Sequence, residues 1–223
     1  MNEWLSSPLW RSIFGRMGKT MIAIYAIATI VSYFIGNISP AIILGKIYGV
    51  DIKKEGSGNA GTTNALRVLG KKAGIITLLV DILKGVIVVL VAKHLFWESA
   101  PIVALLCALA VFCGHIWPAI FGFKGGKGVA TAFGIIVTVN WCLGLIALAI
   151  VLLVVAITRR MSAGSIVGAL AVPVLAYFLV PAGVDQLTFV VWAVVLAITV
   201  IIKHRANLVR LFKGEEPKLN FKK

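Results

Sequence analysis

The sequence predicts an all-α polytopic membrane protein with seven transmembrane helices, its N-terminus outside and its C-terminus in the cytoplasm. Of its 223 residues, 60% are apolar and 13% are charged, and the mean hydropathy is +1.01. Soluble domains are roughly 45–50% apolar and about 25% charged. The composition therefore argues against a secreted, nucleic-acid-binding or disordered protein, and it supplies six or seven spanning helices of roughly 20 residues.

Six apolar runs follow one another along the chain. They cover residues 21–44, 73–92, 101–121, 129–158, 163–180 and 186–202. The first run is too long for a cleaved signal peptide. The fourth, of thirty residues, forms either one strongly tilted span or two short spans hinged near Asn140 and Trp141.

The basic residues favour two spans in the fourth run. Of 22 lysines and arginines, 17 lie in segments 46–72, 122–128 and 159–160 and in the tail from residue 203. Cytoplasmic loops carry the excess of Lys and Arg, so an even number of spans must separate these segments. Only a split of 129–158 satisfies this condition, and it gives seven spans. The net charge of +14 is thus mainly a topology signal.

Residues 21–223 are predicted to form a single membrane-embedded domain behind an N-terminal extension of residues 1–20. Apolar residues of the extension recur at helical spacing, at Leu9, Trp10, Ile13, Phe14 and Met17. The extension is either an interfacial amphipathic helix or dispensable.

A glycine-rich polar loop follows the first span. Residues 56–64 read Gly-Ser-Gly-Asn-Ala-Gly-Thr-Thr-Asn, and Arg67 lies three residues beyond. Successive backbone N–H groups in such a loop favour an anion, and an arginine binds phosphate with two parallel hydrogen bonds. The alternative is an ordinary Gly/Ser/Asn loop. The candidate ligands are Ser57, Gly58, Asn59, Gly61, Thr63, Asn64 and Arg67.

A second glycine-rich loop, residues 122–128, precedes an apolar helix. Glycines and lysines before a helix N-terminus suit phosphate, and a plain basic turn is the alternative. A Walker A motif is excluded, because Phe121 and Gly128 stand where it needs Gly and Ser or Thr. The candidate ligands are Lys124, Gly125, Gly126, Lys127, Gly128 and Thr131.

Further polar residues lie near the ends of spans and inside them. His204 and Asn207 are three residues apart at the last membrane exit and face the same way on a helix, although a basic flank is the alternative. Ser165 stands at a helix entrance, where hydroxyls are more often caps than ligands. Asp81 and Lys84 are predicted to pair inside the second span.

Several catalytic patterns are missing from the sequence. It contains neither a HExxH motif nor another clustered His/Cys pattern, so no metal is predicted, and it has no GxSxG motif. No histidine is followed five residues later by aspartate, which excludes the His-x4-Asp motif of coenzyme-A-dependent glycerolipid acyltransferases.

These loops resemble the bacterial PlsY family of glycerol-3-phosphate acyltransferases, in order and spacing, from residue 21 to the C-terminus. The resemblance rests on segments 56–64, 81–85, 114–115, 122–131 and 204–207, together with Arg67. It implies a multi-pass enzyme of the bacterial inner membrane, with its active site facing the cytoplasm. Ala206 departs from the acidic residue that family members often carry there.

The resemblance also implies a reaction. A fatty acyl group moves from acyl phosphate to the 1-hydroxyl of sn-glycerol 3-phosphate, giving lysophosphatidic acid and phosphate, without metal or cofactor, in the first step of phospholipid synthesis. By position, the residues that orient the reactants are Ser57, Arg67, Lys127, Ser165, His204 and Asn207. In the family the substrate's own phosphate is thought to assist deprotonation, and His204 as general base is the alternative.

Two other functions remain open at the level of sequence. A transporter of organic phosphates would also carry basic loops and polar residues in its spans, but its site would lie near the midplane. A basic scaffold protein would leave both glycine-rich loops unexplained. The expected partners are the two substrates and membrane lipid, with neither nucleic acid nor an obligate protein partner.

Overall fold

The computed structural model describes residues 18–219, and that part of the chain is helical without strands. Its helices are α1 (Lys19–Gly36), α2 (Pro40–Ile47), α3 (Thr62–Leu69), α4 (Lys71–Phe96), α5 (Pro101–Ile116), α6 (Val129–Val139), α7 (Trp141–Thr158), α8 (Met161–Phe178), α9 (Gln186–Lys203) and α10 (Arg205–Phe212). Residues 1–17 of the predicted N-terminal extension lie outside the described residues, whereas residues 19 and 20 begin α1.

Among residues 18–219, six segments are long and apolar enough to cross a membrane. They are α1, α4, Pro101–Phe121, α7, α8 and α9. The apolar core surrounds α5, which packs against α1 and α4, and the outward faces of the bundle remain apolar, as at Ile157 and Phe178, which are 75% and 74% exposed. An apolar outer surface of this kind suits lipid. The protein is therefore a multi-pass membrane protein.

The run at 129–158 is split into α6 and α7, as the distribution of basic residues predicted. Asn140 makes the break, because its side chain accepts a hydrogen bond from Leu143 N at 3.0 Å and donates one to Leu179 O at 2.7 Å. Helix α6 has 11 residues and is about 16 Å long, roughly half of the hydrocarbon thickness. Whether it counts as a seventh span stays a prediction.

The first apolar run is interrupted, which the sequence analysis did not predict. Helix α1 ends at Gly36, and α2 begins at Pro40. Lys84 Nζ donates to Ile38 O at 2.8 Å and to Gly36 O at 3.2 Å. Carbonyls at a helix break in the membrane need such partners, because lipid offers none. The lysine of the second span therefore stabilises the break in the first.

Helices α1 and α5 touch backbone to backbone at a pair of glycines. A Cβ on Gly114 would lie 2.0 Å from Tyr33 O, and a Cβ on Gly36 would lie 2.3 Å from Val111 O. Glycine therefore allows the close approach that brings the end of α5 against the α1–α2 break.

We expect Gly114→Ala to destabilise the bundle by about 1–3 kcal/mol, because the added methyl group meets backbone that cannot move aside. The measurement is the midpoint of thermal unfolding in detergent. Gly18→Ala is the matched control, since a Cβ there has nothing within 4 Å. Equal midpoints for the two variants would show that the α1–α5 contact is looser than described.

Candidate active site

A cavity of about 840 Å³ opens where four helices begin. Its lining includes residues from the first turns of α3, α6, α8 and α10, namely Thr62, Thr63, Val129, Ala130, Met161, Ser162 and Asn207. The first turn of a helix has N–H groups without intrahelical partners and carries a partial positive charge. Four such ends around one cavity favour an anion.

Eleven of the sixteen candidate ligands predicted from the sequence line this cavity. They are Ser57, Asn59, Gly61, Thr63, Asn64, Arg67, Lys127, Gly128, Ser165, His204 and Asn207. The other five lie outside the lining and are Gly58, Lys124, Gly125, Gly126 and Thr131. The structure thus brings together both glycine-rich loops and the exit of the last span, although these segments are far apart in sequence.

Asn64 shapes the first loop from within. Its Oδ1 accepts a hydrogen bond from Ser57 N at 2.9 Å, and its Nδ2 donates to Ile52 O at 3.1 Å and to Glu55 O at 3.0 Å. The residue is only 1% exposed. Since its amide is already engaged, Asn64 holds the loop that presents Ser57 and Asn59 to the cavity.

The second loop is fastened to the end of α5 by its glycines. Gly125 N donates to Ile116 O, and Gly126 N donates to His115 O, both at 3.2 Å. These two N–H groups are therefore already hydrogen-bonded within the protein and do not bind an anion. Of this loop, Lys127 and the N-terminus of α6 remain as candidate anion ligands. Thr131 is fully buried on α6.

A buried carboxylate joins the polar side chains on three segments. Glu216 Oε1 accepts from Ser162 Oγ at 2.7 Å and from Asn207 Nδ2 at 2.6 Å, and its Oε2 accepts from Arg210 Nε at 2.7 Å. Asn207 Oδ1 in turn accepts from Lys127 Nζ. Glu216 thereby links α8 and α10 to the second loop.

Sequence reasoning missed Glu216 and Arg210. A signal was present, because Glu216 is one of only eight acidic residues and lies in the strongly basic tail. Arg210 also follows Asn207 by three residues, so the two share a helix face. Burial disfavours the charged form of Glu216, yet hydrogen bonds from Ser162, Asn207 and Arg210 hold the pKa of its carboxyl below the usual value.

The ammonium group of Lys127 loses its proton more readily than that of an ordinary lysine. Burial and the positive charges of Arg210, Lys203 and Arg67 together lower the pKa of its ammonium to about 8, against the opposing effect of Glu216. The group is still protonated at neutral pH. An incoming anion would relieve the repulsion among these cations.

His204 is neutral at neutral pH. Burial lowers the pKa of its imidazole to about 4, and the nearby charge of Lys127 contributes. Its Nδ1 lies 2.8 Å from Val200 O, and a carbonyl oxygen can only accept, so Nδ1 carries the proton. The other nitrogen, Nε2, is therefore an acceptor.

Beyond its polar end the cavity continues between apolar helices. Phe133 and Ile136 of α6, Leu148 of α7 and Val172 of α8 form part of this wall. Leu152 also lines it and is 55% exposed on the outside of the bundle, so the apolar part reaches the surface that lipid covers. The cavity suits an amphiphile with an anionic head and an apolar chain.

Comparison with known proteins identifies the family. The family model for glycerol-3-phosphate acyltransferase matches residues 26–214. The chain belongs to this family. Glycerol-3-phosphate acyltransferases of Clostridioides difficile (strain 630) and Thermoanaerobacter pseudethanolicus are 45% and 44% identical to it, covering 89% of this chain and 97% and 98% of their own. The family resemblance drawn from the loops is confirmed.

Two solved structures of PlsY, an integral membrane glycerol 3-phosphate acyltransferase, share the fold of this family member. The glycerol 3-phosphate form superposes with a TM-score of 0.81 and the lysophosphatidic acid form with 0.78. Both are 34% identical to this chain and cover 88% of it and 96% of their own. The chain is thus an acyltransferase of this family and fold.

We expect Glu216→Ala to lower the midpoint of thermal unfolding in detergent, because it leaves the donors of Ser162, Asn207 and Arg210 without their acceptor. Ser162 and Asn207 are buried, and each buried donor left unpaired costs roughly 1–3 kcal/mol. Glu216→Gln keeps one acceptor oxygen, so its unfolding midpoint should lie between those of Glu216→Ala and the wild type.

Glu215→Ala is the matched control, since this neighbouring glutamate is exposed. If Glu216→Ala unfolds at the same temperature as Glu215→Ala, the carboxylate does not hold the three segments together.

Proposed function

We propose that this protein transfers a fatty acyl group from acyl phosphate to the 1-hydroxyl of sn-glycerol 3-phosphate, giving lysophosphatidic acid and phosphate. The observation that carries the proposal is one cavity that joins a cationic end to an apolar wall reaching lipid. Both substrates carry phosphate, and one carries an acyl chain. Family membership supports glycerol 3-phosphate as the acyl acceptor. The cavity, with its cationic end and its apolar wall, supports an amphiphilic acyl donor.

The transfer is a direct displacement. The hydroxyl oxygen of glycerol 3-phosphate attacks the acyl carbonyl carbon, an ester bond forms, and the bond from that carbon to the phosphate oxygen breaks. Because acyl phosphate is already activated, no acyl-enzyme is required. Arg67 and Lys127 neutralise the two phosphates, while Ser57, Ser165 and Asn207 orient the reactants. Alignment, charge neutralisation and exclusion of water supply the catalysis.

His204 positions glycerol 3-phosphate by accepting a hydrogen bond from its 2-hydroxyl at Nε2. A pKa of about 4 makes its imidazole a weak base. A phosphate monoester has a second pKa of about 6, so a substrate phosphate is the stronger base of the two. The proton of the attacking 1-hydroxyl therefore leaves to phosphate, and His204 fixes the direction of attack by holding the neighbouring hydroxyl.

We further propose that the chain crosses the bacterial inner membrane seven times, with the N-terminus outside and the cavity facing the cytoplasm. The basic loops support this orientation. Helix α6 would be the shortest of the seven spans, because the second loop before it is hydrogen-bonded to the end of α5. At its other end Lys93 Nζ donates to Thr138 O at 3.1 Å and to Val139 O at 3.3 Å, which caps the helix.

The direct test gives the purified protein acyl phosphate and glycerol 3-phosphate in detergent. We expect phosphate and lysophosphatidic acid to appear in equal amounts. A transporter of organic phosphates would instead carry glycerol 3-phosphate across a vesicle membrane without releasing phosphate. Transport without turnover would replace the enzyme proposal.

Replacement of His204 separates positioning from base catalysis. His204→Gln keeps a hydrogen-bond acceptor, whereas His204→Ala removes it. We expect Gln to retain most of kcat and Ala to lose about 100-fold or more, which is the scale of misplacing a reactant. Losses of similar size in both variants would indicate that the imidazole itself takes the proton.

Activity should depend on the charge of Lys127. Its pKa of about 8 means that the ammonium is charged below pH 8 and becomes neutral as the pH rises through that value. We therefore expect kcat/KM for glycerol 3-phosphate, which reports the free enzyme, to fall above about pH 8.

Lys127→Arg keeps its charge across this range, so its profile should stay level where the wild type declines, even at a lower absolute rate. Lys54→Arg is the control, because this lysine side chain is 82% exposed and pairs with Asp51. An alkaline decline that persists in Lys127→Arg would belong to a different group.

A further inference from the structure

Three polar side chains are packed together behind the second loop. Lys84 Nζ lies 2.8 Å from Asp81 Oδ1 and 2.8 Å from His115 Nδ1, while His115 Nδ1 lies 3.3 Å from the same carboxylate oxygen. Asp81, Lys84 and His115 are 1%, 4% and 4% exposed. None of them has a part in the mechanism above, yet Asp81 and His115 both line the cavity.

The contacts of Lys84 determine which nitrogen of His115 carries its proton. An ammonium group has three donors and no acceptor. Two of these donors bond the carbonyls of Ile38 and Gly36, and the third is left for His115 Nδ1 at 2.8 Å, because Asp81 Oδ1 makes an ionic contact without a hydrogen bond. His115 Nδ1 must therefore accept from Lys84, so the neutral imidazole carries its proton on Nε2. The buried lysine presents His115 as a donor.

The Nε2 edge of the ring faces the second loop. A Cβ on Gly126 would lie 2.2 Å from His115 Nε2, so glycine at this position leaves room for the ring beside Lys127. Among residues 18–219, no side chain or carbonyl accepts a hydrogen bond from Nε2. Because His115 lines the cavity, a ligand bound there can supply that acceptor.

We propose that His115 is a further substrate-binding residue, whose Nε2–H donates to a phosphate oxygen bound beside Lys127. This proposal rests on the proposed function, since it assigns the phosphate to a substrate. Lys84 acts as a positioning residue that fixes the tautomer of His115, and Asp81 balances the charge of Lys84 inside the bundle. The donor therefore adds a directional contact without adding a further charge.

Two substitutions separate the Nε2 donor from the packing of the ring. His115→Gln places an amide N–H near the position of Nε2. His115→Asn keeps an acceptor for Lys84 but is too short to place a donor there. We measure kcat and KM for both substrates, the affinity for inorganic phosphate by calorimetry, and the midpoint of thermal unfolding.

We expect His115→Asn to weaken phosphate binding and raise KM for at least one substrate about 10-fold or more, while kcat changes less. The substrate whose KM rises shows which phosphate His115 contacts. His115→Gln should stay within about threefold of the wild type. His94→Asn is the matched control, because His94 is exposed near the far end of α4.

The inference is overturned if His115→Asn binds phosphate and both substrates as the wild type does. It is also overturned if Asn and Gln lose binding equally, since the ring would then serve only packing. Failure of the proposed function is a separate result, in which the wild type itself releases no phosphate, and the calorimetric comparison of the variants still decides the role of His115.

Discussion

The cationic end of this bundle depends on one counter-charge, the buried carboxylate of Glu216. Burial lowers the pKa of Lys127, and Arg210, Lys203 and Arg67 are close enough to add to this effect. Glu216 opposes this repulsion and orders the donors around it. One carboxylate does not neutralise the cluster, so a net positive charge remains for substrate phosphates. The same balance that permits folding thus leaves the site ready for anions.

The fold also contains helix breaks within the bundle, and each break needs its backbone groups satisfied. Lipid offers no hydrogen bonds, so irregular backbone is tolerated only where protein or a cavity covers it. The side chain of Asn140 hydrogen-bonds backbone groups at the α6–α7 break, and that of Lys84 does so at the α1–α2 break. Because Lys84 also contacts His115, the group that stabilises the break orients a residue of the cavity wall.

Local features of the sequence predicted much of the site. The glycine-rich loops, His204 and Asn207 were recognisable because residue type and spacing encode their chemistry within a few positions. The parity of the basic segments also predicted the split before α7. The structural use of Asn64 and Gly126 was not predictable in this way, because the same residue types serve anion binding or loop packing. Glu216 depends on contacts with α8 and α10, and its one sequence signal, an acidic residue in a basic tail, does not show which groups it contacts.

The charge states of the site suit a displacement in which the substrates carry out part of the acid–base chemistry. A histidine with a pKa near 4 and a carboxylate engaged in three hydrogen bonds both have little tendency to take a proton. A phosphate group, with a second pKa of about 6, has more. The surrounding cations lower that basicity, but they also stabilise the departing phosphate, and the activated acyl bond makes leaving-group stabilisation more valuable than a strong base. A site built of donors and cations on four helix ends meets that requirement.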